Sequence, residues 1–207
     1  MNITIVFFLG LIIALVGVIP PGLLNMTAAK ISLKEGHTRG IMFSIGVCVI
    51  VFLQTYIAAM LARYLTNHKD VVEILQRMAF VIFVLITIYF LLLAKPKPEI
   101  EANTKSKHSR FFQGMFLSAI NVFPIPYQAY MTVTIASFGW LKFETTMILA
   151  YVLGAVTGTF VMLYLYIFFF DKVKSKKFTS QKNMNYIIGG ITGIIAGVTL
   201  IHILMEL

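Results

Sequence analysis

Three residues, Pro20, Pro21 and Gly22, interrupt an apolar stretch of the chain instead of bordering it. No charged residue occurs between Ile3 and Ile19, and the first one after the interruption is Lys30. A proline inside a helix removes a backbone donor and clashes with the preceding turn. At membrane depth the freed carbonyls are costly unless protein or a wet cavity satisfies them. The sequence therefore predicts a broken transmembrane helix that borders a cavity.

The composition supports a membrane location. Charged residues make up 12% of the 207 residues and hydrophobic residues 59%, whereas about a quarter of a soluble domain is charged. A bilayer span needs about 20 apolar residues. Segments of that kind are predicted at 3–29, 40–62, 76–94, 111–139, 143–170 and 184–204. The predicted fold class is an all-α integral membrane protein with six transmembrane helices.

The two halves of the chain repeat one plan. Residues 95–110, rich in Pro, Lys and small polar residues, read as a basic linker between the segments 1–94 and 111–207. The fourth span is interrupted by Pro124-Ile125-Pro126, as the first is by its own prolines. Because each half has three spans, the second half enters the membrane in the opposite sense. A 3+3 inverted repeat with proline-broken helices 1 and 4 is the plan of many secondary transporters.

The basic residues are distributed unevenly between the predicted connections. The loops between spans 1 and 2, between spans 3 and 4 and between spans 5 and 6 lie on one side of the membrane and hold thirteen Lys and Arg residues. The loops on the opposite side hold four. By the positive-inside rule both termini lie outside the cytoplasm of a bacterial inner membrane. Such loops suit anionic lipid headgroups, so the net charge of +9 does not indicate nucleic-acid binding.

Other function classes find little support in the sequence. The apolar N-terminus lacks the basic start and cleavage site of a signal peptide. The single cysteine, Cys48, reads as a buried apolar residue. The four histidines form no cluster at metal-ligand spacing, and no nucleophilic pair or phosphate loop is recognisable. We predict neither an enzyme nor a cofactor or metal site.

The candidate binding site consists of the two breaks and their polar neighbours. A half-helix that starts after Pro21-Gly22 or after Pro126 directs amides and a positive dipole end inward, where a carboxylate can bind. Amide side chains near the breaks can donate and accept hydrogen bonds. The predicted substrate-binding residues are Pro20, Pro21, Gly22, Asn25, Gln54, Asn121, Pro124, Pro126, Tyr127 and Gln128. Alternatively, the prolines only kink the helices and the amides satisfy the loosened backbone.

Two further features have open interpretations. Lys30 is either a coupling residue or a lysine that snorkels to the membrane surface. Small residues recur every fourth position at Ala150, Gly154 and Gly158, and again at Gly189, Gly193 and Gly197. Such faces allow close helix packing inside the protein or form a homodimer interface.

The residues around both breaks resemble the LysE-type exporters of lysine, homoserine and threonine. The resemblance lies in Pro20-Pro21-Gly22-Leu23, in the basic segment 30–40 followed by Gly46, and in the Asn–Pro motif of 121–126. It implies a six-span exporter of amino acids or similar small metabolites, driven by the proton gradient. In that family a second proline usually stands where this chain has Leu23, and many members have an acidic residue after the helix 2 glycine. This chain lacks that acid, which favours a neutral or zwitterionic amino acid.

The sequence thus predicts a small-solute exporter that works by alternating access. The alternatives are an ion or metal efflux protein and a membrane interaction protein that transports nothing.

Overall fold

The computed structural model of the chain describes residues 2–19, 22–68, 80–81, 84–85, 87–93, 106–173, 186, 189–190, 193–194, 196–197 and 200–201. Its regular structure in these ranges is entirely helical. The helices are α1 Ile3–Val18, α2 Leu23–Glu35, α3 His37–Thr66, a π-helical segment Tyr89–Leu93, α4 Lys107–Ile120, α5 Pro124–Ser137 and α6 Thr145–Val173.

The chain divides into two compact units. The first comprises Met1–Thr66 and Ala102–Val173 and contains α1 to α6. The second comprises Asn67–Glu101 and Lys174–Leu207 and contains the π-helical segment. Within the second unit Gly189 lies against Leu91, since a Cβ on this glycine would meet Leu91 Cδ2 at 2.6 Å.

Several of the described helices can cross a membrane. Both α3 and the segment Thr145–Phe169 of α6 have the necessary length and apolarity, and α1 with α2 forms a third candidate if the bent pair is one span. The predicted all-helical fold is therefore confirmed for the described residues, and two or three of their helices are long and apolar enough to cross a membrane. The count of six spans stays a prediction, because the segments at 76–94 and 184–204 lie partly outside the described residues.

The first unit exposes many apolar side chains and buries polar ones together with its apolar core. On α1 the residues Ile5, Phe8, Ile12 and Val16 recur on one face and are each more than half exposed. Such a stripe would be unfavourable in water but suits lipid. The buried polar or charged residues of the described chain are Asn25, Ser32, Ser44, Gln54, Thr55, Arg110, Ser118, Gln128, Thr132 and Thr159.

Two pairs of helices cross at reciprocal glycines. On α1 and α6, a Cβ at Gly10 would lie 2.2 Å from Tyr151 O, and one at Gly154 would lie 2.0 Å from Phe7 O. These contacts confirm internal packing for the predicted small-residue face of α6, and they leave no room for any side chain beyond hydrogen at the crossing.

The crossing of α3 and α4 has the same construction. A Cβ at Gly46 would lie 2.0 Å from Phe111 O, and one at Gly114 would lie 2.1 Å from Phe43 O. Helix α3 also packs against α5 and α6, and α2 packs against α3 and α6. Both broken helices are thus each held by one long unbroken helix.

One predicted boundary shifts. Residues 107–110, assigned to the linker from composition, form the first turn of α4. Ser106 caps this turn, since its side chain accepts a hydrogen bond of 3.2 Å from Ser109 N. A serine N-cap satisfies one of the free amides at a helix start, which composition alone does not reveal.

Candidate functional site

The first helix break separates α1 from α2, whose axes differ in direction by 78°. Pro20 and Pro21 lie outside the described residues. Two side chains satisfy the carbonyls at the end of α1. Asn25 Nδ2 donates to Val18 O at 2.6 Å, and the Tyr166 hydroxyl on α6 donates to Ile19 O at 2.8 Å.

Beyond this break, α2 begins at Leu23 without a side-chain cap. Its N-cap residue is Gly22, which has extended backbone geometry. The first amides of an α-helix have no acceptor within the helix, and Met26 N bonds Gly22 O at 3.0 Å, one turn back. The N-terminus of α2 therefore presents the amides of Leu23 and Leu24 without a side-chain cap.

The second break separates α4, which ends at Ile120, from α5, which starts at Pro124. Gln54 of α3 satisfies the end of α4: its Nε2 donates to Ser118 O and to Asn121 O, at 3.0 Å each. The Gln54 side chain is buried. The two broken helix ends are thus stabilised by polar side chains of the long helix that packs against each.

The prediction of free amides after the second break is wrong. Pro124 and Pro126 have no N–H to offer. Between them, Ile125 N donates to Val122 O at 3.1 Å, and Tyr127 N donates to Phe123 O at 3.4 Å. The first turn of α5 therefore has no unused amide, in contrast to the first turn of α2.

Tyr127 brings the two breaks together. It lies in the first turn of α5, and its hydroxyl donates to Ile13 O on α1 at 2.9 Å. Its ring packs on Gly17, where a Cβ would lie only 2.6 Å from Tyr127 Cε1. The start of α5 therefore contacts the last turn of α1 directly.

Gln128, another predicted site residue, bonds to α6. Its Oε1 accepts a hydrogen bond of 2.6 Å from the Tyr151 hydroxyl, and both side chains are buried. The hydroxyl of Thr132 donates to Gln128 O at 2.6 Å. This arrangement fixes the first turns of α5 against α6.

Three buried polar atoms have no hydrogen-bond partner in the described part of the chain. They are Gln54 Oε1, Thr55 Oγ1 and Ser118 Oγ. Their residues are at most 5% exposed. Gln54 of α3 and Ser118 of α4 are already linked through Gln54 Nε2, so both of these unbonded oxygens belong to residues that meet at the end of α4. Native proteins rarely retain such atoms without water or a ligand to bind.

The remaining predicted residues lie closer to the surface. Pro126 and Lys30 are exposed, and Pro124 and Asn121 are half-buried. The structure thus joins Asn25, Gln54, Asn121 and Tyr127 to the broken helix ends.

Sequence reasoning missed a buried ion pair. Arg110 Nε donates to Glu35 Oε2 at 2.9 Å, and Arg110 Nη2 bonds Glu35 Oε1. The two side chains are 3% and 2% exposed. Both residues had been assigned to solvated connections because they are charged and flank apolar spans. Arg110 stands four residues before Gly114, hence on the helix face that packs closely, and this spacing was the available signal.

Comparisons with known proteins return no relative of this chain: no family model, no curated protein and no solved structure matches it.

Proposed function

We propose that this protein is a secondary transporter that exports a neutral or zwitterionic amino acid, or a similar small metabolite, across a bacterial inner membrane by alternating access. The observation that carries the proposal is the contact of Tyr127 with Ile13 and Gly17, which brings two helix breaks side by side within an apolar helical unit. Broken helices whose ends meet in this way form the binding sites of many secondary transporters.

An internal 3+3 inverted repeat is part of the proposal, and the helix crossings support it. The crossing of α1 with α6 and that of α4 with α3 share the same reciprocal glycines. Gly10 precedes Pro20 by ten residues, and Gly114 precedes Pro124 by the same number. Both half-helices that follow the breaks end near a glycine of positive φ, Gly36 at 94° and Gly139 at 73°. These matches relate α1, α2 and α3 to α4, α5 and α6.

The chemistry of the two breaks suits a zwitterion. The α2 N-terminus offers donors, the amides of Leu23 and Leu24, together with the positive end of a helix dipole. The region at the end of α4 offers acceptors, since Gln54 Oε1 and Ser118 Oγ are buried and unbonded. A carboxylate would bind at the first break and an ammonium group near the second. This division replaces the symmetric pair of anion sites expected from the sequence.

Tyr127 would have to move during transport. In this conformation its ring occupies the space beside Gly17, and its hydroxyl bonds α1. Rotation of that ring would open a path between the breaks, and the hydrogen bond to Ile13 O would close it again. Proton coupling, as in the LysE-type exporters that the chain resembles, is the proposed energy source.

The proposed orientation places both termini outside the cytoplasm. It can be tested in a Cys48→Ala background with single cysteines at two exposed positions, Ser106 and Lys142. A membrane-impermeant maleimide should label the Ser106→Cys variant only from the cytoplasmic side and the Lys142→Cys variant only from the opposite side. The reverse pattern would invert the topology, and labelling of both from one side would contradict the inverted repeat.

Transport itself is tested with purified protein in proteoliposomes, using a panel of labelled amino acids with and without a pH gradient. We expect saturable transport of at least one neutral amino acid, with Asn121→Ala and Pro126→Ala lowering the rate while membrane insertion stays normal. Asn103→Ala and Pro98→Ala, which change the same residue types within the linker sequence 95–110, serve as controls. Normal transport by both Asn121→Ala and Pro126→Ala would show that these residues are not part of the binding site. Failure of the parent protein to transport any solute would favour an interaction protein.

A further inference from the structure

The buried pair of Glu35 and Arg110 lies outside the proposed substrate site and has a construction of its own. The guanidinium meets the carboxylate with two nitrogens, a bidentate geometry that fixes both side chains. Arg110 Nη1 also bonds Gln113 Oε1 on the same helix. The carbonyl of Glu35 accepts a hydrogen bond of 2.7 Å from Arg39 Nη1. The Arg110 guanidinium is therefore held by Glu35 and Gln113, and Arg39 bonds the backbone carbonyl of Glu35 at the end of α2.

The pair joins helices that otherwise have little contact. Glu35 is the last residue of α2 and Arg110 lies in the first turn of α4. The remaining contact between α2 and α4 is small. The ion pair is therefore the main connection between the half-helix that follows the first break and the half-helix that precedes the second.

The corresponding position in the other half is apolar. Val6 stands four residues before Gly10, as Arg110 stands four before Gly114. Val6 is fully buried in a cluster with Ile135, in the last turn of α5, and with Leu141, which follows that helix. The position four residues before the crossing glycine thus makes an aliphatic contact in one half and an ion pair in the other.

A buried ion pair is a poor choice for stability alone. Desolvation of two charges offsets most of their attraction, and apolar residues of similar size would do as well or better. Removing either partner, in contrast, leaves an uncompensated buried charge and is strongly unfavourable. Such a pair acts as a two-state element: it is stable when closed, and both groups can be solvated when the helices separate.

We propose that the Glu35–Arg110 ion pair is a latch that holds α2 against α4 and closes the cytoplasmic side of the transport path. This inference rests on the proposed function and on its orientation, which places the end of α2 and the start of α4 on the cytoplasmic side. The latch breaks when that side opens to take up solute and forms again before the opposite end opens.

The test measures access to the end of α4 directly. In a Cys48→Ala background, Ser118→Cys provides a buried reporter at the second break, since Ser118 has no exposed surface. Its labelling by a membrane-impermeant maleimide is followed in inside-out vesicles. The variants are Glu35→Gln, Arg110→Gln, Arg110→Lys and the charge-swapped pair Glu35→Arg with Arg110→Glu. Lys34→Gln, an exposed neighbour, is the control.

Glu35→Gln and Arg110→Gln should each be labelled about tenfold faster than the parent, because the conformation with α2 held against α4 is no longer favoured. Arg110→Lys keeps the charge but loses the bidentate geometry, so its labelling rate should lie between that of the parent and that of the neutral variants. The swapped pair and Lys34→Gln should match the parent. Equal labelling of all variants, or a swapped pair as fast as the single variants, would overturn the latch.

The readout separates this inference from the proposed function. Labelling needs no transported solute, so a protein that moves no amino acid can still show the expected order of labelling rates. That result would support the ion pair as a latch and reject the transport function. Conversely, solute transport by the parent together with uniform labelling would reject the latch alone. The swapped pair keeps the test decisive if a single variant fails to fold, because it restores the charge balance.

Discussion

The Tyr166 hydroxyl donates a hydrogen bond of 2.8 Å to the carbonyl oxygen of Ile19, although 147 residues separate them in the chain. Ile19 is the last described residue before the first helix break, and α6 is the long helix that packs along α1. The bond links the C-terminal end of α1 to the continuous helix α6. A carbonyl left unpaired in an apolar medium would be costly, so the break depends on this side chain.

We expect Tyr166→Phe to destabilise the protein and to slow transport. Loss of one such bond costs about 1 kcal/mol, and more when the acceptor is left unsatisfied. The change should appear as a lower midpoint in thermal unfolding in detergent. Tyr164→Phe is the matched control, because Tyr164 is on the same helix and stacks on Phe168 through its ring. Equal effects of the two changes would show that the hydroxyl of Tyr166 has no special role.

Gln54 has the corresponding role at the second break, and Gln54→Leu should affect two acceptors at once. The change removes the donor to Ser118 O and Asn121 O while leaving a side chain of similar size. We expect the free energy of unfolding to fall by about 1 to 3 kcal/mol and solute transport to be lost. Leu53→Ala, at the exposed neighbouring position, should change little. A fully stable Gln54→Leu protein would mean that the end of α4 finds other donors.

The sequence predicts the position of the breaks but not the groups that satisfy them. A proline acts on its own turn, so the interruptions after Val18 and before Pro124 could be predicted locally. The partners Tyr166 and Gln54 come from distant segments, and only the folded chain brings them near. The prediction of free amides at the second break was wrong because a proline at both the first and the third helix position leaves too few N–H groups.

The charged residues illustrate a second limit. Glu35 and Arg110 were assigned to connections from hydropathy, which treats each charge separately. Their burial depends on pairing, and pairing between segments 75 residues apart is invisible to a window of about 20 residues. The apolar helices, in contrast, were predictable, because the periodicity and length that specify them lie within one segment.

Glycine at the two helix crossings is expected to be irreplaceable. In Gly154→Ala the new Cβ would lie 2.0 Å from Phe7 O, a backbone atom that cannot rotate away. The helices α1 and α6 would have to separate, at a cost of about 1 to 3 kcal/mol for an overpacked site. Gly190→Ala is the control, since no atom of the described residues lies within 4 Å of a Cβ placed there. Thermal unfolding of the two variants should differ clearly, and equal midpoints would contradict the close crossing.

Thr55→Val should separate stability from transport. The Thr55 hydroxyl is fully buried and has no hydrogen-bond partner among the described residues, so it contributes a desolvation cost of about 1 to 3 kcal/mol with no bond in return. Valine has nearly the same shape and no hydroxyl, and the variant should therefore unfold at a higher temperature. If the hydroxyl serves the transported solute or a water that accompanies it, the same variant should transport more slowly, as expected where function is retained at the expense of stability.

Thr66→Val is the opposite control, because the Thr66 hydroxyl donates to Ala62 O at 2.8 Å. A Thr55→Val protein that is less stable than the parent would show that this hydroxyl has a structural partner, and one that is more stable with unchanged transport would remove it from the solute path.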